Sequence, residues 1–105
     1  MIKEPSETRI LLVEDDRALA LAVQKLLESY GNEVTCVADF ADVIGEFEAC
    51  RPQLVLMDIG LPFMNGYHWC SEIRRVSKVP IIFISSAADN MNIVMAMNLG
   101  ADDFI

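Results

Sequence analysis

Three stretches of this chain are apolar without interruption and then break abruptly into polar turn residues: ILLV at 10–13, LVLM at 54–57 and IIFI at 81–84. A short unbroken apolar run predicts a strand covered on both faces, as in the parallel sheet of an α/β domain. EVTCV at 33–37 alternates instead, which suits a strand near a sheet edge. Between these runs the period changes. Leu19, Ala22, Val23, Leu26, Leu27 and Tyr30 recur every three or four residues, predicting one helical stripe that packs on the sheet. Asp15 or Asp16 can cap that helix, and Gly31 can stop it. Asp39 is placed to cap a second helix, in which Phe40, Val43, Ile44 and Phe47 are spaced 0, 3, 4 and 7. Arg51-Pro52 ends it, because a residue before proline is pushed out of the helical region.

After Asn65-Gly66 a third helix is expected over 67–76, with Tyr67, Cys70 and Ile73 on its inner side and His68 and Trp69 partly exposed. A methionine-rich fourth helix is expected over 90–99, stopped by Gly100, and Asp102 to Ile105 read as the start of a fifth strand. Four βα units and a strand stub predict a parallel sheet with right-handed crossovers and helices on both faces. Residues 1–8 read as a disordered lead-in and 9–105 as one domain.

Bulk properties narrow the chemistry. A chain of 105 residues, 53% hydrophobic, fills one core and not two. Sixteen acids against eight bases give a net charge of -8, which disfavours a grip on nucleic acid phosphates and suits a cation or a basic partner surface. No apolar run is long enough to span a bilayer, and MIKEPSETR lacks the apolar core of a signal peptide. Cys36, Cys50 and Cys70 are odd in number and have no CxxC spacing, so reduced thiols in a cytoplasmic protein are expected, without direct membrane contact.

The acids fall at strand ends. Glu14-Asp15-Asp16 follows the first strand, Asp58 the third, and Ser85 the fourth. Each alone reads as a turn or capping residue. In a parallel sheet those ends share one edge, where ligands bind, and together they predict one acidic pocket. Crowded carboxylates repel one another unless a cation intervenes. Mg²⁺ suits the position, since it takes oxygen ligands and needs only one or two carboxylates beside phosphate oxygens. Such a pocket lets a carboxylate act as nucleophile toward a phosphoryl group.

VEDD after the first strand, LVLMDIGLP on the third, PIIFISS on the fourth and GADDFI at the fifth resemble the receiver domain of bacterial response regulators. The resemblance covers about residues 9–105. It implies a flavodoxin-like doubly wound sheet, strand order 2-1-3-4-5. It also implies that Asp58 takes a phosphoryl group from a sensor histidine kinase. Glu14, Asp15 and the backbone carbonyl of Gly60 would hold Mg²⁺ with it, Ser85 would be the switch hydroxyl, and Phe104 the aromatic switch. VEDD and GADDFI are similar to the OmpR/PhoB-type subfamily, which carries a C-terminal winged-helix DNA-binding domain. YHWCSEIRRVSKVPIIFISS resembles regulators of bacitracin and antimicrobial-peptide resistance.

Family receivers have a lysine after the fifth strand and then a fifth helix. Both are expected just past Ile105, so the sequence reads as truncated at the start of strand 5. The homodimer face of fourth helix, fifth strand and fifth helix is correspondingly incomplete. Two alternatives stand beside a phosphorylated switch that is not a turnover enzyme. One is a phosphatase of the haloacid-dehalogenase type, although its DxD signature meets Gly60 where the second acid is needed. The other is a receiver-like interaction module that is never phosphorylated.

Overall fold

A computed structural model describes residues 8–84 and the backbone of residues 103–104. Five parallel strands, β1 (Arg9–Val13), β2 (Glu33–Cys36), β3 (Leu54–Asp58), β4 (Ile81–Ile84) and β5 (Asp103–Phe104), form a sheet in the order 2-1-3-4-5. Helices α1 (Arg17–Ser29), α2 (Val43–Cys50) and α3 (Gly66–Arg74) connect them. The alternating strand, β2, is at the edge, and the apolar β1, β3 and β4 lie inside, as their patterns predict. The expected fourth helix, and with it most of the expected dimer face, lies outside the described residues. Thr8, assigned to the lead-in, is already tied to the sheet, its carbonyl accepting from Glu33 N–H at 2.8 Å.

Alternate strand residues serve opposite faces. Leu11, Val13, Val55, Met57, Ile81 and Phe83 point into one cluster with Val43 and Phe47 of α2 and Trp69, Cys70 and Ile73 of α3. Ile10, Leu12, Val34 and Leu56 face the other way and meet α1 through Ala20, with Val23 and Leu27 beside it. The α1 stripe is therefore rotated from the predicted one: Leu19, Leu26 and Tyr30 are exposed. The helix is apolar over more of its circumference than one sheet face can cover. Small Ala20 marks the line of contact.

Capping fixes the other departures. Asp16, the second of the two candidates, caps α1 by accepting from Leu19 N–H at 3.1 Å. Gly31 takes φ 92° just past its end. Helix α2 starts later than predicted, because Asp42 is its cap and accepts from Gly45 N–H at 3.0 Å. Asp39 instead closes a local turn onto Ala41 N–H at 3.0 Å. Glu46 pins that turn from within α2, accepting from Asp39 N–H at 2.6 Å. Trp69, expected to be partly exposed, is buried in the larger cluster, while His68 beside it is half-buried. A nine-residue α3 wedged against α2 and β3 buries more of its girdle than its own periodicity foretells.

Candidate functional site

Strands β1 and β3 are adjacent and parallel, in a register that sets Val13 opposite Met57. The next residue on each is an acid, so Glu14 and Asp58 leave the sheet side by side. Asp58 is the last residue of β3. One carboxylate oxygen from each of Glu14, Asp15 and Asp58 lies within 4.8 Å of the others. Residues far apart in sequence thus form the predicted acidic pocket.

Burial is graded across it: Glu14 is only 7% exposed, Asp58 is half-buried and Asp15 is open to solvent. Burial pushes the Glu14 carboxyl up from 4.5 to about 7, and the charges of Asp58 and Asp15 push the same way. The Asp16 N–H, donating to Glu14 Oε2 at 3.1 Å, opposes the rise. Asp58 Oδ1 accepts from Ile59 N–H at 2.9 Å, and the Asp58 and Glu14 side chains hydrogen-bond to each other. Three converging acids, one of them carrying an unfavourable buried charge, are a fitting donor set for a hard divalent cation.

The turn after β3 is held at both ends. Ile59 carbonyl accepts from Leu61 N–H at 3.0 Å and from Gly66 N–H at 2.9 Å. Asn65 caps α3 by accepting from His68 N–H at 3.0 Å. Gly66 is required here, because a Cβ on it would collide with the backbone carbonyl oxygen of Asp58. The sequence marked Asn65-Gly66 only as punctuation; the structure makes it the clamp that fixes where the Asp58 backbone sits. Gly60, expected to offer its carbonyl, lies exposed on this turn with open space around it. On the α1 side, a cavity of about 400 Å³ opens beside Glu14 and Asp15, lined also by Arg17, Leu21, Cys36 and Phe40.

Ser85 lies outside the described residues. The backbone of Phe104 pairs with Phe83 in β5, so that position joins the sheet beside β4 as expected. All three cysteines are free, and burial together with the charge of Glu28 pushes the Cys36 thiol up, keeping it protonated. Among the described residues no helix is long and apolar enough to cross a membrane.

Comparison with known proteins fits this geometry. Residues 10–105 match the response regulator receiver domain family. The chain is 48% identical over 97 residues to the uncharacterized transcriptional regulatory protein YvcP of Bacillus subtilis strain 168, covering 92% of this chain and 41% of that protein. It is 46% identical to the sensory transduction protein BceR of Halalkalibacterium halodurans and 45% identical to the response regulator protein GraR of Staphylococcus haemolyticus, each over 92% of this chain. The chain thus spans less than half the length of these relatives, 42% and 43% for the latter two. Among solved structures, the N-terminal domain of the nisin resistance regulator NsrR superposes with a TM-score of 0.84 at 45% identity, over 95% of this chain and 85% of that one. The BeF3-activated receiver domain of Klebsiella pneumoniae RstA gives 0.89 at 28% identity, over 92% and 83%. The chain belongs to the response regulator receiver domain family.

Proposed function

We propose that this receiver domain is a phosphorylation switch in which Asp58 is the phosphoacceptor. The observation that carries the reading is the convergence of Glu14, Asp15 and Asp58 within 4.8 Å at the carboxyl edge of the sheet. Glu14, Asp15 and Asp58, with the Gly60 carbonyl, would hold Mg²⁺. Bound there, it would neutralise charge on the phosphoryl group. A carboxylate oxygen of Asp58 forms the new O–P bond as the P–N bond of a phosphohistidine breaks, and the imidazole nitrogen keeps the electron pair and takes up a proton. The Ile59 N–H on Oδ1 helps to orient the carboxylate. Glu14, whose carboxyl burial pushes up to about 7, would give up its proton on holding the ion.

Ser85 and Phe104 are the switch positions that carry the change onward, by the receiver resemblance. The phosphodonor is a sensor histidine kinase. The output is a C-terminal winged-helix DNA-binding domain, in keeping with curated relatives more than twice as long and with the transcriptional name of YvcP. Likeness to the nisin resistance regulator NsrR supports an antimicrobial-peptide stress pathway in the cytoplasm of a bacterium. The domain turns over no substrate beyond its own phosphoryl group.

The test is intact mass after incubation with Mg²⁺ and phosphoramidate, for the parent and for Asp58→Ala. One added phosphoryl group on the parent alone is expected. An unmodified parent, in a chain extended through the C-terminal segment of its relatives as well as in this one, would favour an interaction module that is never phosphorylated.

A further inference from the structure

Phe63 breaks two rules at once. It holds φ 67°, in the left-handed region that L side chains rarely adopt. The other non-glycine residue at positive φ among those described, Arg51, is a helix C-cap whose N–H is satisfied by Phe47 carbonyl. The Phe63 side chain is also 79% exposed, an aromatic ring left in water. Met64 beside it is 44% exposed, and Pro62 before it is exposed too. Packing among the described residues therefore explains neither the backbone nor the ring.

The position of the pair supplies a purpose. Residues 62–64 are the tip of the turn that leaves Asp58, and that turn is clamped by Ile59 carbonyl, Asn65 and Gly66. The ring is thus held out on a turn anchored at the strand end that delivers Asp58. A rigid aromatic costs little entropy to bury and is the usual anchor of a protein interface. Exposed Leu21 and half-buried Phe40 line the cavity beside Glu14 and Asp15, so apolar surface adjoins the acids there as well.

We infer that Phe63 and Met64 form a docking knob for the protein that brings the phosphoryl group to Asp58, an inference that rests on the phosphoacceptor reading above. A partner that reaches Asp58 must pass over this tip. The chemistry expected of it is a shallow apolar hollow beside its phosphohistidine and basic residues around it, matching exposed Asp15 and Asp16 and a net charge of -8. A small phosphodonor needs no knob.

That difference sets the experiment. Phe63→Gly removes the ring and places at positive φ the one residue that accepts it freely, so the fold survives the change. Phe63→Tyr keeps a ring. Autophosphorylated cytoplasmic domains of a panel of histidine kinases are screened against the parent, and the one that transfers fastest is carried forward. With that donor, Phe63→Gly is expected to lower kcat/KM about tenfold, chiefly through KM, with Phe63→Tyr near the parent. With phosphoramidate all three should be labelled at equal rates. Equal rates with both donors would overturn the knob and leave the phosphoacceptor reading standing. A parent that phosphoramidate does not label, in the chain extended through the C-terminal segment of its relatives as well as in this one, would remove that reading, and the knob with it. A parent labelled by phosphoramidate but by no kinase domain of the panel would overturn the knob alone. A concentration-dependent dimer that Phe63→Gly abolishes would assign the tip to a second copy instead.

Discussion

The face of the sheet against α2 and α3 and the carboxyl edge of the same sheet obey opposite rules. On the face, twelve buried residues from Leu11 to Phe83 pack against one another, and the burial of their apolar surface lowers the free energy of the fold. At the edge, three carboxylates crowd within 4.8 Å, and burial with the charges of Asp58 and Asp15 raises the cost of ionising Glu14. Met57 and Asp58 are adjacent in sequence yet belong to the two regimes, the first fully buried and the second half-open. Stability therefore comes from the face, and reactivity is stored at the edge as repulsion that a cation or a phosphoryl group can relieve.

Substitution should separate the two. Phe83→Ala, at a fully buried position, is expected to cost about 3–5 kcal/mol by urea unfolding. A loss below about 1 kcal/mol would mean that the face is loosely packed. Gly66→Ala joins the regimes, because its Cβ displaces the Asp58 carbonyl. A loss of about 1–3 kcal/mol is expected, together with slower labelling by phosphoramidate. Unchanged labelling would show that the clamp does not position Asp58.

Edge substitutions should have the opposite sign. Asp58→Asn removes one of three like charges and is expected to raise the melting temperature of the metal-free protein by several degrees, about 1 kcal/mol. Saturating Mg²⁺ should stabilise the parent and do much less for Asp58→Asn. For Glu14, the folded pKa of about 7 exceeds the ordinary 4.5, so between these values the folded state binds more protons than the unfolded one. Its contribution to metal-free stability therefore grows as pH falls from about 7 toward 4.5 and is lost as pH rises through 7. Glu14→Gln should flatten that part of the melting profile; a parent and variant with parallel profiles would refute the buried-acid account. The smallest effect is expected at Leu26→Ser. That apolar position is exposed on α1, so stability should move by no more than about 0.5 kcal/mol.

The sequence alone determined what is local. Unbroken apolar runs named β1, β3 and β4, and alternation sent β2 to the edge, because strand pattern reports which faces are covered. The acids at strand ends were legible for the same reason, and the motifs around them carried the family. Tertiary structure decided what is relational. The meeting of Glu14 with Asp58 depends on the register of β1 against β3, which no single segment encodes. Which stripe of α1 is buried depended on the shape of the sheet beneath it, so Ala20 was chosen over Leu19 and Leu26. Asp39 and Asp42 are equal candidates by residue type, and Asp42 became the cap because Glu46 already holds the turn at Asp39. Trp69 was buried by α2 closing over it, and Phe63 was left out by a turn whose clamps all lie elsewhere. Hydrogen bonds and periodicity act between near neighbours in the chain, whereas burial and charge repulsion act between whatever the fold brings together.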